Sequence, residues 1–247
     1  MSMQFSNTTT KAGMIQVLER NTKLGDGVIS GNATKLAEAT SDLNMGLVEV
    51  WALIFSANGT WQWDDSNHTL DYPVISTDIV SGQRDYAFLT DNTGNLILDI
   101  YKVMRKNADG VYEKIDPIDV QSEDGTEELY DGRDVGGIPD KYDKTSNGIF
   151  LSPIPNYNST EGLKIYINRE GYFFLTSDTT KKPGFAGLFH EYPVLFASYK
   201  YAVRNGLKSK IDFMNDMIRM QAAIKKHYRR RERDIQDVIS AEVINSV

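Results

Sequence analysis

The chain contains no cysteine among its 247 residues. A disulfide framework, a thiolate metal site and a cysteine nucleophile are therefore excluded. The histidines are also few: His68, His190 and His227 lie far apart, and none has the H-E-x-x-H spacing that places two zinc ligands on one helix face. We expect a protein without a metal or a cofactor.

The motifs of several enzyme classes are missing too. The sequence has no G-x-S-x-G nucleophile turn, no phosphate-binding loop and no Rossmann glycine fingerprint. We therefore expect a protein that is not an enzyme and has no catalytic residue. One enzymatic alternative stays open, a glycan hydrolase that uses Asp64 or Asp65 while Trp61 and Trp63 stack on a sugar. The competing interpretation is that both indoles pack against the helix predicted at 32–57.

Long hydrophobic runs are lacking as well. None approaches the roughly 18 residues of a membrane span, and the first residues, MSMQFSNTTTK, are too polar for a signal peptide. Hydrophobic residues still make up 40% of the chain, which is enough for a core. We expect a soluble protein, made in a cytoplasm, with no membrane partner.

Positive charge is concentrated near the end of an acidic chain. The segment 225–233 carries six basic residues and one acidic residue, although the net charge of the protein is −7. Two interpretations remain open. The cations are either the solvated end of a helix, favoured by its C-terminal dipole, or they contact an acidic protein surface or DNA. A DNA-binding module built on Lys225–Arg233 is thus a further functional alternative.

Apolar residues recur at helical spacing in four segments, 11–20, 32–57, 192–205 and a last one from about 209 to beyond 235. Thr9 or Thr10 is the expected cap of the first helix, and Thr34 that of the second. Pro193 suits the first turn of the third helix. The last helix carries a stripe of Ile211, Met214, Ile218, Ala222 and Tyr228. We expect its first half, up to about Ala222, to pack on the helix at 192–205.

The middle of the chain changes to strand spacing. Runs at 86–89, 96–104, 111–118 and 148–151 predict strands, with a hairpin turn at 107–110. Residues 162–168 alternate as in a strand with one buried face, whereas 172–175 are a buried strand or a contact surface. Trp61, Trp63, Leu70 and Tyr72 extend the pattern at its start. We interpret the acidic, glycine-rich segment 121–144 as a long loop without the spacing of a calcium site.

These patterns together predict an α+β protein. The expected divisions are an N-terminal helical segment at 1–59, a β-rich, sandwich-like module at 60–180, C-terminal helices at 185–235 and an extended arm at 229–247. The terminal helices are expected to form one helical body.

Three blocks of sequence, together with the amphipathic helices and the β-rich middle, carry a resemblance that covers most of the chain. They are YDKTSNGIFLSPIP at 142–155, GLKIYINREGYFF at 162–174 and KPGFAGLFHEYPVLFASYKYA at 182–202. The combination resembles the head-to-tail adaptor proteins of tailed bacteriophages and is similar to the tail accessory factor of short-tailed phages.

This resemblance implies a structural role in the virion neck, between capsid and tail. The protein would form a closed ring of about twelve copies that joins the portal to a tail or neck protein. It would continue the DNA channel and touch the genome transiently. The resemblance also implies that the helices form the ring body and that the β-rich module lies on the outer or tail-facing side.

The C-terminal arm is the predicted contact with the portal. About 20 residues in a helix reach about 30 Å, and adaptor C-termini commonly extend to the portal. The predicted portal-binding residues are Arg229, Arg230, Arg231, Arg233, Ile235, Val238, Ile239, Val243 and Ile244. We expect Lys225 and Lys226 to face DNA in the channel or an acidic partner. The helix residues expected to pack between neighbouring subunits are Leu47, Trp51, Phe55, Phe196, Tyr199 and Val203.

Overall fold

A computed structural model describes residues 2–57, 74–88, 90, 94, 96–118, 136–145 and 148–231. Within this part of the chain there are four α-helices and seven β-strands, so the prediction of an α+β protein is confirmed. The backbone divides into two compact units. The helical unit consists of Met1–Trp61 and Phe173–Val247, and the β unit consists of Gln62–Tyr172.

The helices of the helical unit are α1 (Met14–Asn21), α2 (Ala33–Ala57), α3 (Glu191–Arg204) and α4 (Lys210–Arg231). A short 3-10 turn, Gly187–Phe189, precedes α3. Helices α2, α3 and α4 pack on one another, and α1 packs on α3. Gly46 lets α2 and α3 approach closely, because a Cβ atom there would lie 2.8 Å from the Cα atom of Pro193. The core of this unit therefore lies between the helices.

Both predicted helix caps are wrong. The N-terminus of α2 is capped by Asn32, whose Oδ1 atom accepts a hydrogen bond from the backbone N–H of Lys35 at 3.0 Å. Helix α1 begins after Gly13 without a side-chain cap. Thr9 and Thr10 lie in a preceding turn, where the Oδ1 atom of Asn7 accepts from the Thr10 N–H. At α2 an asparagine, which bonds its own local backbone readily, thus takes the role assigned to threonine, whereas Asn7 stabilises only the turn before α1.

The predicted end of α3 at Asn205-Gly206 matches the structure. Gly206 has a positive φ of 64°, and the N–H of Leu207 donates to the carbonyl of Ala202 at 2.8 Å. This arrangement satisfies carbonyl groups at the helix end and turns the chain into α4.

The strands of the β unit are β1 (Val74–Ile79), β2 (Asp85–Ala87), β3 (Ile97–Lys106), β4 (Tyr112–Pro117), β5 (Lys141–Thr145), β6 (Gly148–Ser152) and β7 (Ser159–Arg169). They form one sheet in the order β1-β7-β3-β4-β5-β6-β2, and every described pair is antiparallel except β4 with β5. The expected sandwich-like module is thus a single hydrogen-bonded sheet.

This sheet curls around its own core. The two edge strands approach each other, since the Tyr86 hydroxyl of β2 accepts a hydrogen bond from the Val80 N–H just after β1, at 3.0 Å. All seven strands contribute buried residues to one apolar cluster, among them Val103, Ile115 and Ile165. The alternation predicted at 162–168 is confirmed, because Leu163, Ile165 and Ile167 are buried.

Residues 172–175 do not form the buried strand considered above. Asn44 of α2 replaces a neighbouring strand, because its side chain accepts from the Phe174 N–H at 2.9 Å and donates to the Phe174 carbonyl at 3.0 Å. The Phe174 ring packs on Phe5 with centroids 4.9 Å apart. The segment is therefore an irregular strap on the helical unit.

Two strands were not predicted. Strand β5 occupies the end of the segment interpreted as a loop, and its polar sequence KYDKT gives little alternation, although it pairs with β4 and β6. Strand β1 pairs with β7 just after Pro73. The hairpin at 107–110 is confirmed by hydrogen bonds from the Asn107 N–H to the Val111 carbonyl and from the Gly110 N–H to the Asn107 carbonyl.

Candidate interaction surfaces of the helical unit

Part of the predicted site falls outside the described residues. Asp64 and Asp65, with Trp61 and Trp63, lie there, as do Arg233, Ile235, Val238, Ile239, Val243 and Ile244. Lys225, Lys226 and Arg229 are exposed on α4, and Arg230 and Arg231 belong to the same helix.

The residues expected to pack between neighbouring subunits differ in exposure. Leu47, Trp51 and Phe196 are buried in the core of the helical unit. Phe55 and Tyr199 are half-buried, whereas Val203 is 47% exposed. Leu47, Trp51 and Phe196 are thus taken up by the core of a single copy, whereas packing between subunits stays a prediction for Phe55, Tyr199 and Val203.

The apolar stripe of α4 does not pack on α3. Ile211, Met214 and Ile218 are 56%, 42% and 57% exposed. A different face of α4, with Met217, Ile224 and Tyr228, is buried instead. The expectation was wrong because it combined two faces: Tyr228 comes six residues after Ala222, about 240° further around the helix.

We call Ile211, Met214, Ile218 and Ala222 the α4 stripe. Its members follow at steps of three, four and four residues, so they share one helix face. The same side of the helix continues to the exposed residues Lys225 and Arg229. The stripe is therefore an exposed apolar ridge with positive charge at one end.

A second exposed apolar surface lies on α2. Ala37, Ser41, Met45, Val48 and Ala52, which we call the α2 face, recur at steps of three or four residues and carry no charge. Met45 and Val48 are 46% and 44% exposed. The first four of these residues line an open groove of about 630 Å³, closed on one side by residues 173–177. This groove is concave and mostly apolar.

The edge of the groove is held in place by side-chain contacts. Asn44 holds both backbone polar groups of Phe174, as described above, and the Trp51 and Phe173 rings meet at 5.0 Å in an edge-on arrangement. The Asp178 carboxylate accepts from the Leu175 N–H at 2.7 Å and from Lys181 at 3.5 Å. The wall of the groove is thus fastened to α2 and braced within itself.

Acidic side chains border the α2 face. Glu38 and Glu49 lie seven residues before and four residues after Met45, so both follow the same helix row, and both are exposed. The α2 face therefore has negative charge at its side, whereas the α4 stripe ends in Lys225 and Arg229. The two surfaces are thus bordered by charges of opposite sign.

Two buried carboxylates fix the frame that carries these surfaces. Asp42 of α2 binds the Arg204 guanidinium of α3 through both oxygens, one at 3.0 Å, and the hydrogen-bonded carboxylate raises the pKa of Arg204. Glu19 accepts from the N–H groups of Gly27, Ile29 and Ser30 and so closes the loop before α2. Because both carboxylates are saturated with donors, we assign them a structural role.

His190 is buried and fastens the N-terminal segment to α3. Its Nε2 atom donates to the Phe185 carbonyl at 2.8 Å, so Nδ1 accepts from the Met3 N–H at 3.0 Å. Burial lowers the pKa of His190, and Lys182 adds to this effect. His190 is therefore neutral near pH 7, and both of its ring nitrogens are used in structure.

Within the described residues, no three His, Asp or Glu side chains come together as a metal site. No helix in that part of the chain is long and apolar enough to cross a bilayer. No family model matches the chain, and no curated protein matches it significantly.

Proposed function

We propose that this protein is a structural ring subunit of a tailed-phage neck, which joins the portal to the tail and continues the DNA channel. The observation that carries the proposal is the pair of different exposed apolar faces on one helical unit, the α2 face and the α4 stripe. The location in the virion neck is proposed from the resemblance to head-to-tail adaptors, which residues 142–155, 162–174 and 182–202 carry.

Two different faces favour a head-to-tail contact between copies. A symmetric dimer buries the same patch on both partners, whereas a ring joins one patch of each copy to another patch of the next. The ridge of Ile211, Met214 and Ile218 suits the concave groove on α2. Lys225 would then approach Glu38 or Glu49 of the neighbour. Isolated monomers rarely expose contiguous apolar patches of this kind.

We propose that the C-terminal arm is the part of the protein that binds the portal. The described part of the arm, Arg229 to Arg231, is the basic end of α4, and Arg229 is exposed there. We assign portal binding to Arg229–Val247, as expected from the resemblance.

Light scattering and electron microscopy of the protein mixed with a portal ring test this function. We expect a closed ring of this protein bound to the portal. Deletion of 233–247 is expected to leave a folded protein that no longer binds the portal. A protein that stays monomeric beside the portal contradicts the ring, and a truncation that keeps full portal binding contradicts the role of the arm.

A further inference from the structure

The outer face of the β unit carries a compact group of lysine and tyrosine side chains. Val103 of β3, Ile115 of β4 and Ile165 of β7 point into the core, so their neighbours along each strand lie on the opposite face. The members on that outer face are Lys102, Met104, Lys106, Tyr112, Lys114, Lys164 and Tyr166. We call this set the lysine–tyrosine face.

Strand register places four of these lysines around one methionine. Met104 pairs with Lys114 of β4 and with Lys164 of β7, while Lys102 and Lys106 lie two residues away along β3. The two lysines across the strands have Cα atoms about 10 Å apart, and the two along β3 about 13 Å apart. Four ammonium groups therefore share a small area.

The tyrosine rings hold several of these ammonium groups in place. The Lys164 Nζ atom lies 4.1 Å from the centroid of the Tyr112 ring, and Lys106 Nζ lies 6.0 Å from the same centroid. Lys102 Nζ lies 4.9 Å from the centroid of the Tyr166 ring. Cation–π contacts of this kind order the lysines before a ligand arrives and so reduce the entropy lost on binding.

The positive charge of this face is little compensated. Strand alternation places Asp116 of β4 on it, 3.3 Å from Lys114, while the carboxylate of Asp99 near the start of β3 pairs with Lys144. No described carboxylate forms an ion pair with Lys102, Lys106 or Lys164. Like charges on neighbouring positions of one sheet face destabilise it, and a bound polyanion would remove that repulsion.

We propose that the lysine–tyrosine face binds the phosphodiester backbone of a nucleic acid. Lysine is a common phosphate ligand, and phosphates repeat about every 3.4 Å along one DNA strand, so the 13 Å between Lys102 and Lys106 spans several of them. Met104 and the tyrosine rings add apolar surface for sugars or bases, as in other sheet surfaces that bind nucleic acids. An acidic protein would supply charge but no regular row of phosphates.

This site is separate from the basic cluster on α4, and the proposal holds whether or not the protein forms a neck ring. In this proposal the lysines bind backbone phosphate groups, which are the same at every base, so we expect little dependence of the affinity on base sequence.

The test is fluorescence anisotropy of the full-length protein with labelled mixed-sequence DNA of about 20 nucleotides, as a duplex and as a single strand, between about 50 and 200 mM salt. For the variant K102Q/K106Q/K164Q we expect affinity to fall about tenfold or more. The slope of log affinity against log salt is expected to flatten by up to about 0.9 for each lost lysine on the duplex and 0.7 on the single strand. The preferred strand form identifies the ligand.

Two variants check that charge and not folding is responsible. K102R/K106R/K164R keeps the charges and is expected to bind nearly as well as the wild type. Lys114→Gln removes an exposed lysine without a ring contact, and we expect it to flatten the slope by up to about 0.9 in a folded protein.

Three results would overturn the proposal. The first is unchanged DNA affinity of K102Q/K106Q/K164Q and Lys114→Gln, or no binding by the wild type at low salt. The second is loss of binding in K225Q/K226Q alone, which would assign the site to α4. The third is displacement of DNA by polyglutamate at equal charge concentration, which would indicate an acidic protein as the partner.

Discussion

The helical unit and the β unit leave different kinds of side chain exposed. The curled sheet collects its apolar residues in one cluster and turns lysines and tyrosines outward. The helical unit also has a buried core, but it leaves Met45, Val48, Ile211, Met214 and Ile218 largely uncovered. A curled sheet has a single interior, in which its apolar residues come together. A long helix has several faces, and the neighbouring helices of the unit do not cover all of them. Rows of exposed apolar side chains that share one helix face therefore lie on α2 and α4, although apolar residues of the β unit such as Val111 and Ile138 are exposed as well.

This difference separates the two inferred partners by chemistry. Apolar ridges and grooves without charge suit a dry contact between proteins, in which hydrophobic burial supplies most of the free energy. An outer sheet face of ordered ammonium groups suits a hydrated polyanion, whose binding weakens steeply with salt. Salt dependence is thus the property in which the two surfaces are expected to differ most.

The largest expected effect comes from truncating isoleucines on opposite sides of α4. Ile224 is fully buried and Ile218 is 57% exposed on the same helix. We expect Ile224→Ala to lower the free energy of unfolding by about 2–5 kcal/mol, because it leaves a cavity. The matched control Ile218→Ala is expected to change it by less than about 0.5 kcal/mol. Urea denaturation at low protein concentration measures both, and equal losses would mean that the α4 stripe is packed within the fold.

A smaller effect is expected from the buried ion pair between α2 and α3. Asp42→Asn keeps the shape but removes the charge that binds Arg204, which is half exposed and can regain water. We expect a loss of about 1–3 kcal/mol in unfolding free energy. Asp216→Asn breaks an exposed pair with Arg219 within α4 and is the control, with an expected change below about 0.5 kcal/mol. If the two variants lose the same amount, Asp42 does not fix the frame that presents the α2 face.

The smallest expected effect is a pH dependence from His190. Because burial lowers its folded pKa, the unfolded chain binds more protons between that pKa and the ordinary value of about 6.5. Stability is therefore fully present above about pH 6.5 and declines as pH falls below it. Thermal unfolding at several pH values is expected to show a shallower decline in His190→Gln than in the wild type. Parallel pH profiles would show that another group is responsible.

Local signals in the sequence predicted much of the fold. The alternation at 162–168 predicted the buried face of β7, and Asn205-Gly206 predicted the end of α3. Both patterns could be interpreted locally, because each of these structures depends on residues that are neighbours in the sequence. Strand β5 escaped prediction because KYDKT is polar and is a strand only through its partners β4 and β6. Residues 172–175 were considered as a strand because nothing near them in the sequence shows that Asn44, some 130 residues earlier, binds the backbone of Phe174.

The surfaces were harder to predict than the elements. The buried face of α4 could have been predicted from the sequence, since Met217, Ile224 and Tyr228 follow at steps of seven and four residues. The lysine–tyrosine face could not, because it depends on register: Lys164 of β7 lies beside Met104 of β3 only through pairing of two strands that are far apart in sequence. The predicted portal residues beyond Arg231 lie outside the described residues and stay a prediction.

Cysteine cross-linking tests the central claim, a head-to-tail contact of the α2 face with the α4 stripe, most directly. The chain has no cysteine of its own, so introduced thiols are the only ones present. Met45 and Ile218 lie near the middle of the two surfaces. Under mild oxidation, we expect the double variant M45C/I218C to give a ladder of covalent oligomers beyond the dimer, while M45C and I218C alone stay monomeric on a denaturing gel. Dimers from either single variant would indicate a symmetric contact and would contradict the account. The absence of a ladder from the double variant at high protein concentration would contradict it as well.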